Sequence, residues 1–89
     1  MNVLIGVYFE KDTENITDKK TLNSIADCIE KIMSVDKLSE IANCKKLSGY
    51  KNAYRIKIGD YLVGFLIENQ TIKFIRFLHR NKIYDHFPH

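Results

Sequence analysis

The sequence predicts an α+β fold: an N-terminal strand, a helical hairpin or helix pair, then a three-stranded antiparallel meander. Together these make one mostly antiparallel four-stranded sheet with helices packed on one face. Three observations carry this. Apolar residues recur at helical spacing between Lys19 and Ser34, the period changes to two from Tyr54 onward, and Gly59-Asp60 and Asn69-Gln70 divide the later stretch into strands.

Met1-Asn-Val-Leu-Ile-Gly-Val carries neither the basic flank nor the small-residue cleavage site of a signal peptide, and it reads as a first strand at a sheet edge. Phe9 to Ile16 is polar and charged, enough for one short helical turn. Asp18 is an N-cap for a helix over Lys19 to Ser34, where Leu22, Ile25, Ile29, Ile32 and Met33 share one face and Lys20, Asn23, Asp27 and Lys31 lie opposite. Asp36 then caps a second short helical segment that buries Leu38 and Ile41 and ends near Asn43.

In the meander, Tyr54, Ile56 and Ile58 alternate with Arg55 and Lys57. Leu62 to Ile67 forms the next strand. Strict alternation along Thr71 to Leu78 puts Ile72, Phe74, Arg76 and Leu78 on one face and Lys73, Ile75, Phe77 and the following His79 on the other.

The chain of 89 residues makes a single domain, residues 1–89, with one modest core and no room for a cleft between domains. Its hydrophobic fraction of 45% is ordinary for a folded domain, and no run is apolar enough to span a membrane, so a cytoplasmic protein is expected. Cys28 and Cys44 lack metal-ligand spacing and read as reduced structural thiols. His86 and His89 lack partners at ligand spacing, so neither a metal nor another cofactor is expected. Lys57-Ile-Gly-Asp60 is a hairpin turn, not a phosphate-cradling glycine loop.

Charge is divided unevenly. Residues 1–44 hold five lysines and eight acids, net −3, whereas residues 45–89 hold nine cations and three acids, net +6. Such a concentration favours a polyanionic partner, nucleic acid or an acidic polypeptide, although a solvated basic surface is the plain alternative. The unusual strands lie in the basic half. Arg55 and Lys57 stand where a buried strand would carry aliphatics, and the last strand runs into His79-Arg80 and then Tyr84.

These residues can serve RNA cleavage by the adjacent ribose hydroxyl, which needs a base, positive charge on the pentacoordinate phosphate, and a proton donor for the departing oxygen. Lys57 serves as the base only where neighbours such as Arg55 and Arg80 disfavour its protonated form. Arg80 is the natural clamp, since its planar fork matches phosphate oxygens. Tyr84 can stack on a splayed base or supply a hydroxyl. Duller readings stay open beside these. Arg55 and Lys57 can be a solvated strand face, Arg76 can pair with Glu68, His79 can fill a structural hydrogen-bond position, and Tyr84 can join Phe87 and Pro88 in an apolar clasp.

The order Lys46-Leu-Ser-Gly, Tyr54-Arg-Ile-Lys-Ile-Gly-Asp-Tyr61 and Phe77-Leu-His-Arg-Asn-Lys-Ile-Tyr84 resembles the RelE/ParE superfamily of toxins from type II toxin–antitoxin pairs. The resemblance covers most of the chain. For the RelE branch it implies a ribosome-dependent endoribonuclease that cleaves mRNA, inhibits translation and is silenced by a cognate antitoxin in a hetero-oligomer. By position it implies Lys57, Arg80 and Tyr84 as the catalytic set and Arg55 beside them as a phosphate-binding cation on an open sheet face; Lys46, Arg76 and His79 are further candidates for binding RNA and phosphate. One departure stands out: relatives usually read Gly-Asp-Tyr-Arg where this chain has Gly59-Asp60-Tyr61-Leu62. That favours two other readings, a ParE-like inhibitor of a topoisomerase, or a catalytically weakened homologue kept for antitoxin binding.

Overall fold

The computed structural model describes residues 1–88, so His89 lies outside the described residues. Strand β1 (Asn2–Ile5) is followed by helices α1 (Val7–Glu14) and α2 (Lys19–Ser34). A single 3₁₀ turn at Leu38–Glu40 leads to β2 (Cys44–Lys46), β3 (Ala53–Ile58), β4 (Tyr61–Glu68) and β5 (Thr71–His79), and the short helix α3 (Ile83–His86) comes last. The sheet order is β1-β5-β4-β3-β2, with β1 parallel to β5 and the other pairs antiparallel.

The expected elements are present with four differences. The sheet has five strands rather than four. The extra one, β2, is three residues long with two exposed lysines, and it is a strand only because Cys44, Lys45 and Lys46 pair with Ile56, Arg55 and Tyr54. Helix α1 is two turns rather than one. It buries only Phe9, whose ring lies 5.0 Å from that of Phe74, so tertiary contact rather than pattern holds it. The segment after Asp36 closes into one 3₁₀ turn. There the Glu40 carboxylate, not Asp36, accepts the N–H groups of Asp36 and Lys37 at 3.2 Å each.

The fourth difference lies in β5. Gly64 pairs with Arg76 but Phe65 pairs with Phe74, leaving Ile75 as an extra residue. The bulge brings Phe74 and Phe77 into the same core, which strict alternation forbids. Asp12 of α1 closes the bulge by accepting the Phe77 N–H at 2.9 Å and both Arg76 Nε at 2.8 Å and Nη2 at 3.0 Å. Arg76 therefore pairs with Asp12 rather than Glu68, and this hydrogen bonding raises its affinity for the proton.

Helix α2 begins as its sequence predicts. The Asp18 carboxylate accepts the Thr21 N–H at 3.1 Å and the Thr21 hydroxyl at 2.6 Å, and these bonds hold it below the usual carboxylate range. Ile25 and Ile32 of α2 join Phe9, Ile56, Val63, Phe65, Ile72, Phe74 and Phe77 in the main core on one sheet face.

The opposite face is not fully open. A second apolar cluster of Ala53, Leu62, Ile83 and Phe87, flanked by Leu47, Leu66, Ile75 and Leu78, covers part of it. Phe87 lies flat on Gly64, where an added Cβ would meet ring carbons at 2.6–2.9 Å. The tail clasp thus consists of Ile83 and Phe87, while Tyr84 stays 52% exposed.

Candidate functional site

Alternation along β3 turns Arg55 and Lys57 away from the main core, which takes Tyr54, Ile56 and Ile58. Lys57 pairs across the sheet with Leu62, and Arg55 with Gly64. Beyond β5 the chain turns back under tight backbone control. Arg80 N–H donates to the Asp60 carbonyl at 3.0 Å, and Lys82 N–H donates to the His79 carbonyl at 2.8 Å. The turn delivers α3, anchored through Ile83, against the same face.

The result is a concavity of about 360 Å³ lined by Arg55, Lys57, Gly59, Leu62, Arg80, Asn81 and Tyr84. Three cations meet there, and among the described residues no carboxylate lines it. Among the described residues, none of the three forms an ion pair, whereas Arg76 does. Their charge is therefore available to an anion, in a hollow whose walls raise the local potential.

A larger concavity of about 600 Å³ lies between α2 and β3, and Lys57 borders it too. The carboxylates of Asp27 and Glu40 line that one and disfavour a phosphate. Cys28 is also on its wall, where burial pushes the thiol up to about 11. At pH 8 this leaves roughly a hundredth of the thiolate of a thiol at the ordinary value of 9.0. Native Cys28 is accordingly expected to react with iodoacetamide about 100-fold more slowly than in urea-unfolded protein, followed by peptide mass. Because the folded value is the higher one, the linked stability is complete below pH 9.0 and is lost as pH rises through about 11.

The structure brings Arg55, Lys57, Arg80 and Tyr84 together, and Leu62 with them. It does not bring the other candidates there. Lys46 is exposed on the edge strand β2 opposite Tyr54, and Arg76 is engaged with Asp12. The His79 ring lies edge-on to Tyr61 at 6.0 Å, and its Nδ1 accepts the Asn81 N–H at 3.2 Å, a structural role in the turn. Asn81 was not singled out by its sequence. Its only signal is position, between Arg80 and Tyr84.

Leu62 occupies the place of the usual arginine and is 5% exposed, packed with Ile83 and Phe87. An arginine there would withdraw apolar contacts from the second cluster. Leu62→Arg is expected to cost about 2 kcal/mol, a fall of roughly 8–16 °C in Tm by circular dichroism.

A five-stranded sheet with two helices on one face and a cation-lined hollow under its C-terminal turn defines a small α+β domain. The family described as ParE toxin of type II toxin-antitoxin system, parDE, matches residues 3–84. Toxin RelE3 of Methanocaldococcus jannaschii is 37% identical over 91 residues, covering 99% of this chain and 100% of that protein. The crystal structure of the RelB-RelE antitoxin-toxin complex from Methanococcus jannaschii superposes with a TM-score of 0.80 at 36% identity, covering 96% of this chain and 99% of that one. The YoeB dimer from Staphylococcus aureus shares the fold, with a TM-score of 0.73 at 18% identity over 90% of this chain and 97% of its own. The chain belongs to the RelE/ParE superfamily and is a toxin of the type II toxin–antitoxin class.

Proposed function

We propose that this toxin is a ribosome-dependent mRNA endoribonuclease of the cytoplasm, neutralised by a cognate antitoxin in a hetero-oligomer. The observation that carries the reading is the convergence of Arg55, Lys57, Arg80 and Tyr84 on one hollow where, among the described residues, no carboxylate cancels their charge.

The ribose 2′-oxygen attacks the adjacent phosphorus while the bond from phosphorus to the 5′-oxygen breaks, leaving a 2′,3′-cyclic phosphate and a 5′-hydroxyl. Arg80 and Arg55 hold the non-bridging oxygens, whose negative charge grows in the pentacoordinate state. Lys57 serves as the base toward the 2′-hydroxyl, and the Tyr84 hydroxyl gives a proton to the departing oxygen. The antitoxin reading is supported by the similar RelB-RelE complex, itself an antitoxin-toxin pair.

Incubating purified chain with mRNA on programmed ribosomes tests this. New 5′-hydroxyl ends are expected, and intact message would end the nuclease reading. A second reading, inhibition of a topoisomerase, is favoured by the ParE description of the matching family and by Leu62 in place of an arginine. It predicts intact message together with trapped double-strand breaks in a supercoiled-plasmid assay.

A further inference from the structure

The hollow contains one polar side chain that phosphate chemistry does not require. Asn81 lines it between Arg80 and Tyr84, and among the described residues its carboxamide makes no hydrogen bond. Its backbone is fixed. Asn81 N–H is held by His79 Nδ1 at 3.2 Å, and the flanking N–H groups of Arg80 and Lys82 are bonded at 3.0 and 2.8 Å. A hydrogen-bonded turn thus carries an exposed amide to the hollow, where among the described residues it has no protein partner.

Donors and acceptors in the hollow are unequally supplied. Arg55, Lys57 and Arg80 only donate, and a phosphate takes up that capacity. Tyr84 contributes an exposed ring and a single hydroxyl. Asn81 alone sets a donor and an acceptor side by side, the pattern that reads the edge of a nucleobase. In single-stranded RNA an unstacked base exposes both its Watson–Crick and its Hoogsteen edge. Adenine carries an adjacent donor and acceptor on each, N6–H with N1 and N6–H with N7, so a carboxamide fits it whichever edge is turned inward.

We propose that Asn81 is a specificity-determining residue that reads an adenine seated against Tyr84 while the cations hold the neighbouring phosphate. This inference rests on the RNA reading above. A bidentate amide contact is worth about 1–3 kcal/mol of discrimination, or roughly 5- to 150-fold between bases.

Two readouts separate it from nuclease activity itself. The first is binding of fluorescent rA₆, rC₆ and rU₆ by anisotropy, and the second is sequencing of 5′-hydroxyl ends from an mRNA pool with randomised codons on programmed ribosomes. The wild-type chain is expected to favour adenine about tenfold in both. Asn81→Ala should bring the adenine ratio close to one. Asn81→Asp, an acceptor only, should move the preference toward cytosine through its N4 amine. An adenine preference in Asn81→Ala equal to that of wild type overturns the inference, as does a wild-type chain that binds all three oligonucleotides alike. If the wild-type chain cuts no message but binds rA₆ preferentially through Asn81, the nuclease reading fails and the base-reading role of Asn81 stands.

Discussion

On the nuclease reading, Arg80→Ala is expected to lower the rate of message cleavage on programmed ribosomes about 10²- to 10³-fold while leaving the fold intact. The magnitude follows from the position of the side chain. Arg80 lines the hollow, forms no ion pair among the described residues, and takes no part in either apolar cluster. Its backbone N–H, which holds the turn to Asp60, is unchanged by the substitution. On that reading the substitution removes the planar fork proposed to meet charge developing on the phosphate, a contact stronger in the transition state than in the ground state. Arg80→Lys should recover only part of the rate, since an ammonium keeps the charge but not the bidentate geometry. The measurement is single-turnover cleavage against thermal melting of the same samples. An Arg80→Ala chain as active as wild type would remove the catalytic assignment of this hollow.

Much of the fold was legible because its signals are local. The helix over Lys19 to Ser34 announces itself by apolar spacing and by a capping aspartate, and the structure returns the same bounds. The β3–β5 meander is equally plain, because Gly59 at φ +59°, and Asn69 and Gln70 at φ 47° and 64°, are what two-residue hairpin turns demand. What was not legible depends on partners distant in sequence. β2 exists by pairing with β3, α1 by the burial of Phe9, and the β5 bulge by a carboxylate 65 residues away. The contacts of α1 and of the bulge lie far outside any window of a dozen residues, and the β2–β3 pairing shows no local pattern of its own.

The candidate site divides the same way. Arg55, Lys57, Arg80 and Tyr84 were readable as cations and an aromatic out of place, and the hollow gathers all four. Arg76 and His79 were equally conspicuous as residue types but are used structurally, one by Asp12 and the other by the Asn81 N–H. Residue type alone does not separate a cation aimed at solvent from one closing a bulge. Leu62 shows the converse. A missing arginine in sequence is, in the fold, the apolar floor of the hollow, held by Ile83 and Phe87.

Gly64→Ala is expected to release the C-terminal turn. The Cβ would stand 2.6–2.9 Å from three atoms of the Phe87 ring, closer than carbon atoms approach. The Gly64 backbone is paired within the sheet, to Arg55 on one side and Arg76 on the other, and has little freedom to withdraw. Phe87 must therefore give way, although it is only 2% exposed and belongs to the cluster that seats Ile83. The cost is that of an overpacked site, about 1–3 kcal/mol. Because Ile83 and Phe87 flank Tyr84, message cleavage should fall together with stability, and amide exchange should quicken at residues 83–87 before it does in β4 and β5. A double-mutant cycle isolates the cause. With Phe87→Ala in place the methyl group meets no ring, so Gly64→Ala should then be nearly neutral, and the coupling should recover most of the single-mutant cost. Additive effects of the two substitutions in urea melts would show that the glycine is needed for some reason other than the ring that lies on it.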